Sequence, residues 1–148
     1  MKETMRKYSV QYLIALSIIF FLSGGCRVQL VADYNENIHN EIIRVAEEID
    51  LFYTRLLETP VDERVYENFK EDYLLIEVDL RSLLLQNKVR PLNEESVRQT
   101  EIAIELWLDD KENHKENNSV SDFIIKQHRE QFSRIFTAMA IGESAKEE

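Results

Sequence analysis

Six apolar side chains constrain the fold most. Ile38, Ile42, Val45, Ile49, Phe52 and Leu56 are spaced four, three, four, three and four residues apart. That period keeps all six on one side of an α-helix, whereas a half-buried strand would need strict alternation. An unbroken heptad stripe is the seam of a helix packed nearly parallel to others. Turn chemistry agrees with helices. The 148 residues include only 3 glycines and 2 prolines, and two of the glycines, Gly24 and Gly25, lie near the N-terminus. The rest of the chain has little of the punctuation that strands and hairpins need.

The remaining segments carry similar signals. Asp33 and Glu36 have capping-box spacing, so the first helix is expected from Asp33 to about Glu58. Thr59-Pro60 reads as a second start, with Thr59 as cap and Pro60 in the first turn. That helix should reach about Asn87 on a stripe of Val65, Phe69, Tyr73, Ile76, Leu80 and Leu83. Leu74, Leu75, Val78 and Leu84 widen the stripe and predict the most buried helix of the set. Arg90-Pro91 breaks the pattern, and Asn93 should cap a third helix to about Lys115, carrying Val97, Thr100, Ile104 and Trp107 inward. After Asn117-Asn118-Ser119, a fourth helix is expected from about Val120 or Ser121 to Gly142, with Ile124, Phe132, Ile135, Phe136 and Met139 on its apolar side. Connections of about three to six residues favour antiparallel neighbours. The expected architecture is all-α, an up-down-up-down four-helix bundle over 34–142, with 143–148 as a disordered tail.

The length allows one domain. The formal net charge is −10. Residues 1–25 carry Lys2, Arg6 and Lys7 against Glu3, so the chain beyond them stands at −12. A body that acidic repels phosphate backbones, which excludes nucleic acid as a partner class.

The N-terminus reads as an address. Positive charges in 1–12 precede an apolar run, Leu13 to Leu22, interrupted only by Ser17. At about ten residues it is too short for a bilayer core, which takes roughly 20, and it fits a secretory signal. Cys26 follows directly and is the only cysteine, so no intramolecular disulfide can form.

Leu22-Ser23-Gly24-Gly25-Cys26 resembles the lipobox of bacterial lipoproteins. The resemblance implies that residues 1–25 are a removed signal peptide and that Cys26 is lipidated on sulfur and commonly acylated on its new amine. It further implies that 26–33 tether the bundle to membrane lipid. The family pattern has an aliphatic residue three places before the cysteine, where Ser23 stands here. Arg27, in place of an aspartate, favours by the same resemblance the inner leaflet of an outer membrane, facing the periplasm. The chain also resembles a group of small uncharacterised proteobacterial lipoproteins. The segments that carry this likeness are Val28-Gln29-Leu30-Val31-Ala32-Asp33-Tyr34, Tyr66-Glu67-Asn68-Phe69, Glu77-Val78-Asp79-Leu80-Arg81-Ser82-Leu83 and Phe132-Ser133-Arg134-Ile135-Phe136. That likeness implies location and fold but no mechanism.

Site chemistry is sparse. A di-iron bundle needs Glu-x-x-His on two helices, and Glu36-Asn37-Ile38-His39 is the one match. Ile38 occupies the core stripe, so Glu36 and His39 flank it instead of converging. His128 lies on the apolar side of the fourth helix as a boundary histidine or a buried pH sensor. His114, among charged neighbours, reads as solvent-exposed. Carboxylate pairs such as Glu47–Glu48 and Asp109–Asp110 carry no signal in so acidic a chain. There is no glycine-rich phosphate loop, nucleophile elbow or haem-attachment motif. No cofactor and no metal ligand set is assigned. The aromatics Phe52, Tyr53, Tyr66, Phe69, Tyr73 and Trp107 fall on or beside stripes and belong to the core first. The expected function is a non-catalytic, lipid-tethered module that binds an envelope protein partner or acts as a scaffold. Its binding surface would be a groove between the first two helices, with Tyr34, Tyr53 and Tyr66 partly exposed. The alternative is a ligand- or metal-carrying bundle in the periplasm.

Overall fold

The computed structural model describes residues 30–147. Among these residues there are four α-helices and no strand: α1 (Glu36–Glu58), α2 (Lys70–Lys88), α3 (Glu94–Asn117) and α4 (Asp122–Ser144). Short 3-10 turns occupy Val61–Glu63, Tyr66–Asn68 and Ala145–Glu147. α1 packs most extensively on α4 and α2 on α3, while α1–α2 and α3–α4 contacts close the ring. The result is a helical bundle.

α1 follows its stripe throughout. All six seam residues are buried, and Tyr53 joins them. Its cap differs: Asn35, not Asp33, accepts the Ile38 N–H at 3.1 Å. Residues 30–33 are not simply a free tether. The Ala32 N–H donates to the Leu92 carbonyl at 2.9 Å, and Ala32 is buried.

The second helix departs furthest from expectation. Thr59 ends α1, its hydroxyl donating to the Arg55 carbonyl at 2.8 Å. Residues 59–69 form an eleven-residue connection with two 3-10 turns, and α2 starts only at Lys70. Phe69, Tyr73, Ile76, Leu80 and Leu83 are buried as expected. Leu74, Leu75 and Val78 are more than half exposed, so α2 is not the most buried helix. A stripe 3.5 residues in period has room for only one face. Apolar residues off that face stay in solvent, whatever their hydropathy.

Trp107 fills the centre. It is fully buried, its ring centroid lies 5.0 Å from both Phe52 and Tyr73 and 5.8 Å from Phe132, and Nε1 donates to the Tyr73 carbonyl at 3.0 Å. The mostly edge-on geometry suits aromatic quadrupoles. On α4 the core takes Ile125 instead of Ile124. The helix continues through Gly142 to Ser144, followed by the turn Ala145–Glu147, so the expected disordered tail is ordered over its described part. Glu143 is buried there.

Candidate functional site

The most developed site lies where α3 turns into α4. α3 ends at Asn118 in the left-handed region, φ 48°, a conformation asparagine tolerates better than most residues. Its side-chain oxygen accepts the Tyr66 N–H at 3.0 Å, which ties the turn to the α1–α2 connection. Ser121 caps α4, accepting the Ile124 N–H at 3.4 Å. The buried guanidinium of Arg64 braces this end. It donates to the carbonyls of Thr59 (2.8 Å), Leu57 (3.2 Å) and Val120 (3.3 Å) and to the Asp122 carboxylate (2.6 Å).

Between these braces lies a recess of about 450 Å³. Leu56, Val120, Ile124 and the rings of Tyr53 and Tyr73 form its apolar wall. Asp110, Asn113, His114, Asn117, Ser119 and His128 supply its polar side. Asp110 is the hub. One carboxylate oxygen accepts from the Tyr53 hydroxyl, and the other meets His128 Nδ1 at 2.7 Å. That bond to Asp110 raises the His128 pKa, against the opposing effect of burial. Burial, then the Asp110 charge, pushes the Tyr53 hydroxyl well above its ordinary value. Tyr53 therefore stays a donor.

His114 behaves oppositely. Its Nε2 lies 2.9 Å from the Arg64 carbonyl, which can only accept, so Nε2 carries the proton. Nδ1 then accepts from the Tyr73 hydroxyl at 3.2 Å. Burial lowers the His114 pKa, so it is held neutral, amid the rings of Tyr66, Phe69 and Tyr73. This corrects the expectation of an exposed His114, which is only 1% accessible. The charged residues around it in sequence point elsewhere. His114 itself continues the stripe Thr100, Ile104, Trp107 at the same four-three rhythm, and that signal could have found it.

The three tyrosines do not line one groove. Tyr53 is buried, 2% accessible, against the expected partial exposure. Tyr34, half-buried, precedes α1 and sits 6.2 Å from the His39 ring. Tyr66, also half-buried, follows α1 and stacks on Tyr73. Tyr34 and Tyr66 thus stand at opposite ends of a 23-residue helix, roughly 35 Å apart at 1.5 Å per residue. Glu36 is exposed, and His39 Nδ1 lies 3.2 Å from the Ser144 hydroxyl. Among the described residues no group of three or more His, Cys, Asp or Glu side chains is placed to hold a metal ion. No helix among them is long and apolar enough to cross a membrane. Cys26 and the rest of the lipobox lie outside the described residues.

Arg64 and Asp110 are the candidate-site residues that sequence reasoning missed. Asp110 sits in a run of charge with nothing to distinguish it from Asp109. Arg64 lies in a connection without periodicity, where no pattern marks a buried cation. No protein-family model matches the chain, and neither a curated protein nor a solved structure matches it.

Proposed function

We propose that the chain is a lipid-anchored lipoprotein of the bacterial envelope, a non-catalytic module that binds a protein partner. In this reading residues 1–25 are removed, Cys26 is acylated, and the bundle faces the periplasm from the inner leaflet of the outer membrane. The anchor is supported by the sequence: the short apolar run, the small residues and the lone cysteine. Each acyl methylene buried adds about 0.8 kcal/mol, so two or three chains hold a small domain firmly.

The observation that carries partner binding is an apolar ridge on α2. Leu74, Leu75, Val78 and Leu85 are 54–64% exposed, and helical geometry places them within roughly 100° of one another. Leu51 of α1, also exposed, borders the same shallow recess as Leu75. Single exposed leucines need no explanation, but Leu74, Leu75 and Val78 cluster within about one turn, and such a cluster marks an interaction surface. The tyrosine groove is thereby replaced by this ridge as the proposed interface.

The same reading takes the helices in up-down-up-down order with antiparallel neighbours. Support comes from paired ends. Asn35, before α1, bonds to Glu143 at the end of α4. Arg55 late in α1 pairs with Asp72 early in α2, and Lys88 late in α2 pairs with Glu101 early in α3.

Two measurements test the proposal. Cys26→Ala should abolish acylation and leave the leader uncut at that bond, read by mass spectrometry. A photo-crosslinker at Leu75 or Val78 in growing cells should give one discrete heteromeric adduct, absent from Ser133 on α4. A Cys26→Ala protein still membrane-bound and cut before residue 26 rejects the anchor. Identical adducts from all three positions reject the interface.

A further inference from the structure

We propose that the recess at the α3–α4 turn is a binding site for a small, uncharged, partly apolar molecule that presents a hydrogen-bond acceptor to Nε2 of His128. This site is independent of the lipid anchor and of the α2 ridge.

The size fits. About 450 Å³ falls within the roughly 300–1,000 Å³ usual for small-molecule sites. The chemistry then narrows the occupant. Asp110 and His128 are the charged groups of the lining, and once His128 is protonated they neutralise each other at 2.7 Å. Both Asp110 oxygens are occupied, one by His128 and one by Tyr53. Both His114 nitrogens are occupied too. An anion would find no unpaired cation and would enter a chain of net charge −10. A cation would have to share Asp110 with the protonated His128 ring, whose like charge opposes it. Either ion would lose its hydration for no counter-charge, which is costly.

Hydrogen-bonding capacity remains in three places. His128 Nε2, the Asn113 amide and the Ser119 hydroxyl make no hydrogen bond within the described protein, and all three residues line the recess. With Nδ1 committed to Asp110, Nε2 of the protonated ring offers an N–H. The wall opposite is Leu56, Val120, Ile124 and two tyrosine rings. An apolar wall with a few fixed polar groups is the general pattern of a ligand site. Arg64, the Ser121 cap and the Asn118 turn brace the backbone around the recess, and Asp110 fixes the His128 ring.

Other recesses lack this combination. The one between α1 and α4 holds the exposed bidentate pair of Asp50 and Arg129. The one between α1 and α2 is bordered by Glu48, Asp72 and Asp79, with Arg44 and Arg55 paired to them.

The test uses purified full-length protein near pH 6 and three probes of one size: benzyl alcohol, benzoate and benzylamine. Nuclear magnetic resonance of the His128 ring reads the site, and fluorescence of Trp107 reads its inner neighbours Tyr53 and Tyr73. Benzyl alcohol should shift both saturably, with a Kd of roughly 1–10 mM for so small a probe. The two ions should bind at least about tenfold more weakly. His128→Asn should weaken benzyl alcohol about fivefold, the loss of one hydrogen bond. Ile124→Trp, filling the recess from its rim and leaving Asp110–His128 intact, should abolish binding. The proposal is overturned by an unsaturable response, by equal affinity for the three probes, or by retained binding in Ile124→Trp. That last variant decides the matter if His128→Asn fails to fold.

Discussion

The two ends of the bundle are closed by different chemistry. At the end that gathers 30–35, the α2–α3 turn and the α4 terminus, closure is ionic and complete. Buried Glu143 accepts from Arg90 at 2.8 and 3.2 Å, from Lys146 at 2.5 Å and from the Asn35 N–H at 3.0 Å. Lys146 also reaches Asn93 and Ser96, and Arg90 reaches the Asp33 carbonyl. At the other end, aromatic rings and a neutral histidine pack beside the Arg64–Asp122 pair, and a second pair, Asp110–His128, borders a recess. At the first end Arg90 and Lys146 are both committed to the buried Glu143, whereas the second end keeps an N–H unspent. Full satisfaction makes a structural clamp, and incomplete satisfaction makes a site.

The largest test breaks the clamp. Glu143→Ala leaves Arg90 and Lys146 partly buried without their acid, and removing one member of such a network costs about 3–5 kcal/mol. Urea denaturation should show that loss, with the α3–α4 recess otherwise unchanged. Burial alone would raise the Glu143 pKa, but Arg90 and Lys146 more than offset it and hold the carboxyl below its ordinary range. The clamp's stability is therefore present above the ordinary glutamate pKa, about 4.3, and lost as pH falls through the lower folded value.

His114→Ala should cost somewhat less, about 2–3 kcal/mol, from the emptied volume and the unpaired Arg64 carbonyl and Tyr73 hydroxyl. Its acid sensitivity is set higher than that of Glu143. The folded pKa is depressed, so stability falls as pH drops below the unfolded value, about 6.5, towards the folded one. His114→Phe should flatten thermal stability between about pH 6.5 and 5 while wild type declines. A parallel decline in both proteins would show that the histidine is not the sensor.

His128 responds in the other direction. Its folded pKa is raised, so its contribution is full below about pH 6.5 and disappears as pH climbs through the folded value. His128→Gln should cost about 1 kcal/mol at pH 6 and clearly less at pH 9, read from denaturation midpoints at the two pH values. A cost independent of pH would assign the effect to packing and not to the pair with Asp110.

How legible was this in the sequence? The α1 seam was readable residue by residue, because burial there follows period alone. The buried polar groups were partly readable too. Asn87 continues the stripe Ile76, Leu80, Leu83. His114 continues Ile104 and Trp107, and Glu143 continues Phe132, Phe136, Met139. Each lies on a core stripe at a helix end, where a polar residue can be buried if a partner arrives from elsewhere. Hydropathy alone assigns such positions to solvent. The partners are the illegible part. Arg64 and Arg90 come from connections, and pairing over 53 residues, as between Arg90 and Glu143, leaves no local trace. The Thr59-Pro60 signal was misread because cap chemistry also suits a helix exit followed by 3-10 turns. Cys26 lies outside the described residues, so the proposed anchor rests on its motif alone.

The smallest expected effect is a gain, and it bears on the ionic end. Leu92 has φ 57°, the left-handed region that costs a β-carbon residue roughly 1–2 kcal/mol. Its carbonyl receives the Ala32 N–H, so the conformation fixes where the N-terminal segment docks. Its side chain is 43% exposed and contributes little packing. Leu92→Gly removes the steric penalty, but the more flexible unfolded chain takes back part of the gain. The net should be about +0.5 kcal/mol, a Tm rise of roughly 1–3 °C by calorimetry. Asn118, the matching left-handed residue at the other end, should behave differently. Asparagine already tolerates that region, and its side chain holds the Tyr66 N–H, so Asn118→Gly should lower Tm. Opposite signs at two residues of nearly the same φ would show that strain sits at the clamp and not at the recess.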